Sequence, residues 1–367
     1  MPLQRLLYVG PGDTPHDRRF LARFAEAGLT VHALALRSRG GASLPPAGVR
    51  PVAWPLDRGG PGGEISPGPA AVGAFKTVVS EVRPDLVYAG PIPTAGFLAA
   101  ESGFRPLALM SWGSDVLWDV DHDPRARERA VRALSRADLV QVDCDAVESK
   151  IRTLAPDSAA RFVQFPWGVE LDRFVPRPTE GPSRKEFVLI STRAWDDIYG
   201  IDTLLEGFRR ASVDLPNLRL ILLGGGPRAD AVEAFIEKSK LTSVVKRPGR
   251  VKEYDLVGFF QSADAYLSAS RSDGSSISLL QAMACGLPAI VSDIPANREW
   301  VEPGKNGWRF PVDDPAALAR SVVSAWKAGA RTRRAFGTVS RTRAVAKADW
   351  KANFERLLGA FHRLETH

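Results

Sequence analysis

The stretch SASRSDGSSISLLQAMACGLPAIVS, residues 268–292, closes one apolar run and opens another, with a helical pattern between them. Ala265–Ser268 (AYLS) reads as a strand, the apolar segment 277–285 as a helix and Pro288–Val291 as the next strand. Strand, helix and strand in so short a span form a parallel-sheet unit. Arg271 and Asp273 follow the first strand, and the small residues Gly274, Ser275 and Ser276 lead into Ile277 at the helix start. Exposed amides and hydroxyls at a helix N-terminus form a cradle for a diphosphate. Asp273 can accept hydrogen bonds from sugar hydroxyls, or simply cap the helix. Gln281, two turns in, can both donate and accept.

The same alternation extends in both directions. Phe187–Ser191 and Leu218–Leu223 are strands, with helices near 201–211 and 228–239, and residues 314–364 read as helical. Gly224-Gly225-Gly226-Pro227 joins a strand to a helix, which is either a plain turn or a close approach for an anion. Toward the N-terminus, residues 6–10, 31–36, 85–89, 107–112, 138–142 and 161–165 read as strands alternating with helices. Pro176, Pro178, Gly181 and Pro182 break this rhythm as a linker. The expected fold class is therefore α/β, with two doubly wound domains, 1–175 and 183–345, and a terminal helix over 346–367. Ligands are expected in a cleft beyond the carboxyl ends of the strands.

A chain of 367 residues, 44% hydrophobic and 25% charged, has the composition of a globular protein with sizeable cores. No apolar run approaches the ~18 residues of a membrane span. The start, MPLQRLLYVGPG, lacks the long apolar region and cleavage site of a signal peptide. A cytoplasmic location is expected. The net charge of +7 suits a phosphate-bearing ligand or peripheral contact with an anionic inner membrane face. No block of like charges supports a nucleic-acid partner. Cys144 and Cys285, far apart in the chain, are expected to be buried reduced thiols.

Gly10-Pro-Gly12 stands where a dinucleotide fingerprint would, but Pro15 occupies the third glycine position and the second strand ends at Arg37-Ser-Arg39 rather than at an acid. An NADP oxidoreductase is thus a distant alternative to a glycine-rich loop that lets the backbone approach a ligand. Asp119-Val-Asp121 and Asp121-His-Asp123 imitate a metal-binding Asp-x-Asp, and no metal is expected there.

The segment 268–292 resembles the signature of retaining glycosyltransferases of family 4, which have the GT-B fold. That signature is an acid, seven residues, Glu, and then Ala-Met-Ala-x-Gly-x-Pro. Here seven residues separate Asp273 from Gln281, and Ala282-Met-Ala-Cys-Gly-Leu-Pro288 follows. Pro166-Trp-Gly-Val-Glu-Leu-Asp-Arg-Phe174 resembles the family's segment before the linker, and Trp112-Gly-Ser-Asp115 its acceptor-side loop. Asn306-Gly-Trp-Arg-Phe310 is similar to the strand after the signature helix. The resemblance implies two Rossmann-like domains facing across a cleft, with the terminal helix crossing back to the first. It also implies metal-independent, retaining transfer of a hexose from a UDP- or GDP-sugar, a co-substrate rather than a cofactor, to a hydroxyl-bearing acceptor.

Residue by residue, the resemblance implies that Arg193 neutralises the leaving diphosphate, aided by the amides of Ser276 and Ile277. Asp273 and Ser275 hold sugar hydroxyls, Gln281 the ribose, and Arg250 and Val251 the nucleobase. Gly12, Gly225, Arg271 and Gly274 complete the donor contacts. His16, Trp112 and Ser114 lie on the acceptor side, and Asp115 anchors an acceptor hydroxyl or caps a helix. The chain departs from the family in four places: Gln281 replaces Glu, Asp273 is the shorter acid, Trp112 stands where many relatives carry His, and Ile198 and Tyr199 occupy the region of a lysine. These departures motivate two rivals, a non-catalytic nucleotide-sugar-binding protein and a GT-B nucleotide-sugar epimerase.

Overall fold

The computed structural model describes residues 3–12, 14–37, 45–56, 65, 67–178 and 185–364. Two compact units emerge, one made of residues 1–165 and 354–367 and the other of 166–353.

The first unit holds strands β1 (Arg5–Gly10), β2 (Thr30–Ala35), β3 (Val49–Pro51), β4 (Leu86–Ala89), β5 (Leu107–Met110), β6 (Leu139–Val142) and β7 (Arg161–Gln164). They form one parallel sheet in the order β3-β2-β1-β4-β5-β6-β7. The second unit repeats the plan with β8 (Phe187–Ser191), β9 (Leu218–Leu223), β10 (Val245–Gly249), β11 (Ala265–Ser268), β12 (Ala289–Ser292) and β13 (Gly307–Phe310). Their order is β10-β9-β8-β11-β12-β13, again parallel.

Central strands such as β4, β5, β6, β8 and β11 are buried throughout, because helices cover both faces of a parallel sheet. In the second unit one face packs Leu204, Phe208 and Leu318, and the other packs Phe260, Leu280 and Met283. Strand order reverses between β1 and β4, and again between β8 and β11. Such a switch point opens a crevice at the carboxyl ends of the strands. The loops after β8 and β11 begin at Thr192 and Ala269, so the loop that opens the 268–292 segment lies at the second switch point.

The two doubly wound units agree with the sequence reading. Strands β3 and β10 were not expected. Both lie at sheet edges and contain proline, Val49-Arg50-Pro51 and Val245-Lys-Arg-Pro-Gly249, which an edge tolerates and an alternation pattern hides. The division also falls at 165/166 rather than at 175. Val169 bonds its amide to the Ala348 carbonyl at 2.8 Å, and Phe174 is fully buried against Phe260, so 166–174 belong with the second unit. Of the expected linker, Pro176 and Pro178 are exposed, and Gly181 and Pro182 lie outside the described residues.

Helices Pro315–Lys327, Gly329–Lys347 and Trp350–His362 fill the C-terminal part. The last returns to the first unit, with Phe354 at 4.9 Å from Phe24 and Phe361 at 5.1 Å from Tyr88. Both cysteines are buried, and burial pushes the Cys285 thiol up to about 12, which leaves it unreactive near neutrality. Among the described residues no helix is long and apolar enough to cross a membrane.

Candidate active site

At the second switch point the chain brings Arg193, two residues beyond β8, onto the loop that follows β11. Its Nη2 lies 2.8 Å from Asp273, and its Nη1 donates to Ser276 Oγ at 2.8 Å and toward Ser278 Oγ at 3.4 Å. Ser278 is bonded in turn to the Tyr266 hydroxyl at 2.7 Å. The Tyr199 ring covers the guanidinium at 3.9 Å, near the place where a second cation was missing from the sequence. Burial works against the charge on Arg193, but Asp273, Tyr199 and Tyr266 outweigh it and raise its pKa, so the guanidinium is permanent. Burial raises the Asp273 carboxyl, against the pull of Arg193, the Ser276 hydroxyl and the Gly274 amide.

Helix Ile277–Ala284 begins beside this pair, with Ser276 at its N-cap and no side chain capping its first amides. Four polar atoms around the end of β8 are buried without a hydrogen-bond partner: Ser191 Oγ, Thr192 Oγ1, Arg193 Nε and Trp195 Nε1. Native interiors satisfy nearly all such groups, so their concentration at one point marks a place built for polar contact.

The glycines after β9 have separate reasons. A Cβ on Gly224 would stand 2.9 Å from the Arg193 carbonyl, and one on Gly226 would stand 2.6 Å from that of Trp195, whereas Gly225 faces open space. Two of the three therefore let the loop after β8 pass closely. Gly224 also donates to the Gly249 carbonyl at 3.1 Å, which brings Arg250 and Val251 into the same series of loops.

Arg193, Asp273, Gly274 and Ser276 are thus directly connected, with Ile277 as the first helical residue. Ser275 is buried, its hydroxyl accepting from the Trp300 indole at 3.2 Å, and Gln281 is buried in the helix. Arg271 is committed elsewhere. It bonds Asp313 at 2.8 Å, Asp202 at 2.9 Å and the Asp197 carbonyl, which ties the loop after β11 to these segments. Sequence reasoning missed Ser191, Thr192, Ser278 and Tyr266. Only Ser278 left a signal, as a polar residue beside Gln281 in a mostly apolar helix.

In the first unit the glycine-rich turn is closed on itself. Asp17, fully buried, accepts from the Gly12 amide at 2.9 Å, the Tyr8 hydroxyl at 2.7 Å and the Thr14 hydroxyl at 2.7 Å. A phosphate would meet a carboxylate where it needs amides, so the dinucleotide reading loses its basis. Gly12, expected among donor contacts, is a glycine that packing requires. Its φ is +89°, and a Cβ there would stand 2.1 Å from that of Ala35.

His16 and Trp112 do meet, edge to face at 5.8 Å, and Ser114 is half-buried in the same loop. Asp115, expected as a catalytic or acceptor residue or as a helix cap, takes part in holding this loop. It is buried and accepts from Ile92 N at 2.8 Å, Trp112 N at 2.8 Å and Ser111 Oγ at 2.9 Å, so its carboxylate holds two loops together.

Burial raises the Asp115 carboxyl from 3.8 to about 6. The folded state then holds this proton more tightly than the unfolded chain, so the group's contribution to stability is full below its unfolded value and is lost as pH rises through about 6. Urea unfolding followed from pH 4 to 6.5 is expected to show this decline. Asp115→Asn is expected to make it shallower by up to about 1.4 kcal/mol per pH unit; an equally steep profile in the variant removes Asp115 as the cause. Among the described residues, no three His, Cys, Asp or Glu side chains are grouped so as to hold a metal ion.

Residues 173–343 match the family model described as glycosyl transferases group 1. A putative colanic acid biosynthesis glycosyltransferase, WcaL of Escherichia coli (strain K12), is 29% identical over 163 residues, which cover 43% of this chain and 40% of the relative. The chain thus spans about 40% of the length of the first curated relatives it matches. Sucrose-phosphate synthase from Thermosynechococcus elongatus superposes with a TM-score of 0.82 at 18% identity, over 98% of this chain and 99% of that one. Anabaena HepE in complex with UDP-glucose gives 0.77 at 16% identity, over 97% and 99%. The chain accordingly has the GT-B fold of two Rossmann-like units, and its second unit carries, over residues 173–343, the match to glycosyl transferases group 1.

Proposed function

We propose that the protein is a glycosyltransferase that moves a hexose from a UDP- or GDP-sugar to a hydroxyl group, with retention and without a metal ion. The observation that carries this reading is the permanent guanidinium of Arg193 at the switch point, beside the uncapped start of helix 277–284 and among unsatisfied buried polar atoms. Anion, helix terminus and planar fork suit one another. HepE, of the same fold, is solved with UDP-glucose, which supports a nucleotide sugar as the partner.

In the proposed reaction the bond from the anomeric carbon to the diphosphate oxygen breaks. Positive character develops on the sugar and negative charge on the leaving group. Arg193 and the first amides of helix 277–284 stabilise that charge, the largest contribution a preorganised site can make. The acceptor oxygen bonds the anomeric carbon on the face the diphosphate leaves, and its proton passes to the departing phosphate oxygen. Glycoside and nucleoside diphosphate result, and the protein supplies no base. Asp273 orients Arg193 and accepts a sugar hydroxyl, and Gln281 meets the ribose as both donor and acceptor.

Thermal unfolding with UDP and with GDP tests the reading. A nucleotide at a hundredfold excess over its Kd is expected to stabilise the fold by about 2.7 kcal/mol. Absence of a shift with both nucleotides rejects the proposal.

A further inference from the structure

Arg193 is held by its edges. Its bonds to Asp273, Ser276 and Ser278 run along N–H groups that lie in the guanidinium plane. Such bonds resist sliding within the plane and leave tilt out of it soft. The Tyr199 ring, its centroid 3.9 Å from the guanidinium carbon, supplies the missing constraint. Tyr199 ends the short turn Asp197–Tyr199, which joins the loop after β8 to helix Ile201–Asp214. A three-residue turn has no core of its own, so whatever it rests on decides where the ring stands.

The turn rests on the loop after β11. Gly200 follows it at φ +57°, and a Cβ there would strike the Ala269 carbonyl. The Arg271 amide donates to the Ile198 carbonyl at 2.8 Å. The Arg271 guanidinium donates to the Asp197 carbonyl, to both oxygens of Asp202 at 3.0 and 2.9 Å, and to Asp313 at 2.8 Å. Asp202 lies in the first turn of helix Ile201–Asp214, so one planar fork grips the chain on both sides of Tyr199. Arg271 and Asp273 are two residues apart. The loop that pairs with Arg193 therefore also holds the ring that covers it.

We propose that Arg271 is a positioning residue: through Asp197 and Asp202 it keeps Tyr199 on Arg193, and so keeps the guanidinium where charge develops on the departing diphosphate, the last clause resting on the function proposed above. A preorganised cation needs no rearrangement as the bond breaks, and a displacement of about 1 Å in such a group costs up to about 10²-fold in rate.

The position of the ring is read on the full chain by nuclear magnetic resonance of the Arg193 Nε–H, assigned by its loss in Arg193→Lys. Arg193 Nε is buried without a partner, which slows its exchange with water. Protons over an aromatic ring resonate upfield, so Tyr199→Leu is expected to remove an upfield displacement that Tyr199→Phe keeps. Arg271→Ala is expected to move the resonance most of the way to its Tyr199→Leu position, and Asp202→Asn part of the way. Should Arg271→Ala fail to fold, Asp202→Asn carries the comparison, since Asp202 is half exposed and its change leaves Arg271 its other partners. An unmoved resonance means that the main-chain bond to Ile198 holds the turn unaided, and overturns the proposal.

Release of nucleoside diphosphate from UDP-glucose and from GDP-mannose gives the second readout. Arg271→Ala is expected to lower kcat about tenfold with the donor KM changed less than about threefold, the pattern of a contact made in the transition state. Added to Tyr199→Leu, it is expected to cost no more than Tyr199→Leu alone, because both act through one ring. Additive losses overturn the proposal. Where neither sugar is turned over, the resonance alone decides. A resonance that moves in a protein binding neither UDP nor GDP keeps the hold of Arg271 on the ring and rejects the transferase reading. Turnover that Arg271→Ala leaves unchanged keeps the transferase and rejects the positioning role.

Discussion

Arg193→Ala is expected to lower donor turnover by about 10²–10³-fold, equivalent to about 2.7–4 kcal/mol of transition-state stabilisation. The expectation follows from where the charge sits. Arg193 is only 14% exposed, and a cation in such surroundings acts on developing negative charge through a lower effective dielectric than water. The lysine of related sequences is absent, and the Tyr199 ring adds no formal charge. Arg271 offers no substitute, being held by Asp313, Asp202 and the Asp197 carbonyl. Arg193→Lys keeps the charge but loses the fork that meets Asp273 and Ser276 together, and about tenfold is its expected loss. Turnover is read as released nucleoside diphosphate, and calorimetric UDP affinity reports the ground state separately. Near-normal turnover in a folded Arg193→Ala protein would falsify the role given to this residue.

Much of this arrangement is legible in the chain because it depends on local pattern. Apolar runs such as Leu218–Leu223 are strands as read, and Gly274-Ser-Ser276 before a mostly apolar octet does open a helix. What escapes is decided by residues distant in sequence. Asp17 is an exception, since its partners Tyr8, Gly12 and Thr14 are near in sequence, but whether it faces the loop or solvent depends on the burial of helix Pro15–Glu26. Asp115 reads in sequence as an acceptor anchor or a helix cap, and the bond it accepts from Ile92, in the loop after β4, leaves no trace there. Gly224 and Gly226 suggest a phosphate loop in sequence, yet the neighbouring chain at Arg193–Trp195 accounts for both. Pattern places residues on a strand end or helix start. Which groups remain unsatisfied there is settled by packing.

Gly337→Ala is expected to destabilise the second unit by about 2–3 kcal/mol despite a helix-propensity gain of about 1 kcal/mol. Gly337 is buried in helix Gly329–Lys347 where that helix crosses Gly286, and a Cβ there would stand 1.9 Å from the Gly286 carbonyl oxygen. Backbone cannot rotate away as a side chain can, so the helix must retreat. Gly286 is itself fixed. It holds φ at +74° at the end of helix 277–284, and the Leu287 amide closes back on the Ala282 carbonyl at 3.0 Å. One turn beyond Gly337, Arg341 donates to the Ala284 carbonyl at 2.8 Å and to that of Phe174 at 2.6 Å. A cation on the last carbonyls of a helix opposes its dipole favourably. Retreat of helix 329–347 lengthens these bonds and frees the far end of the helix whose start carries Ser276 and the Asp273 loop. Loss of stability and weaker UDP binding are therefore expected together. Gly258→Ala supplies the control. That glycine is helical, a Cβ there meets nothing within 4 Å, and the change is expected to be neutral or stabilising by up to about 1 kcal/mol. Urea unfolding of both variants decides the matter: a Gly337→Ala protein as stable as the Gly258→Ala control means that the crossing yields at little cost and helix 277–284 is held from elsewhere.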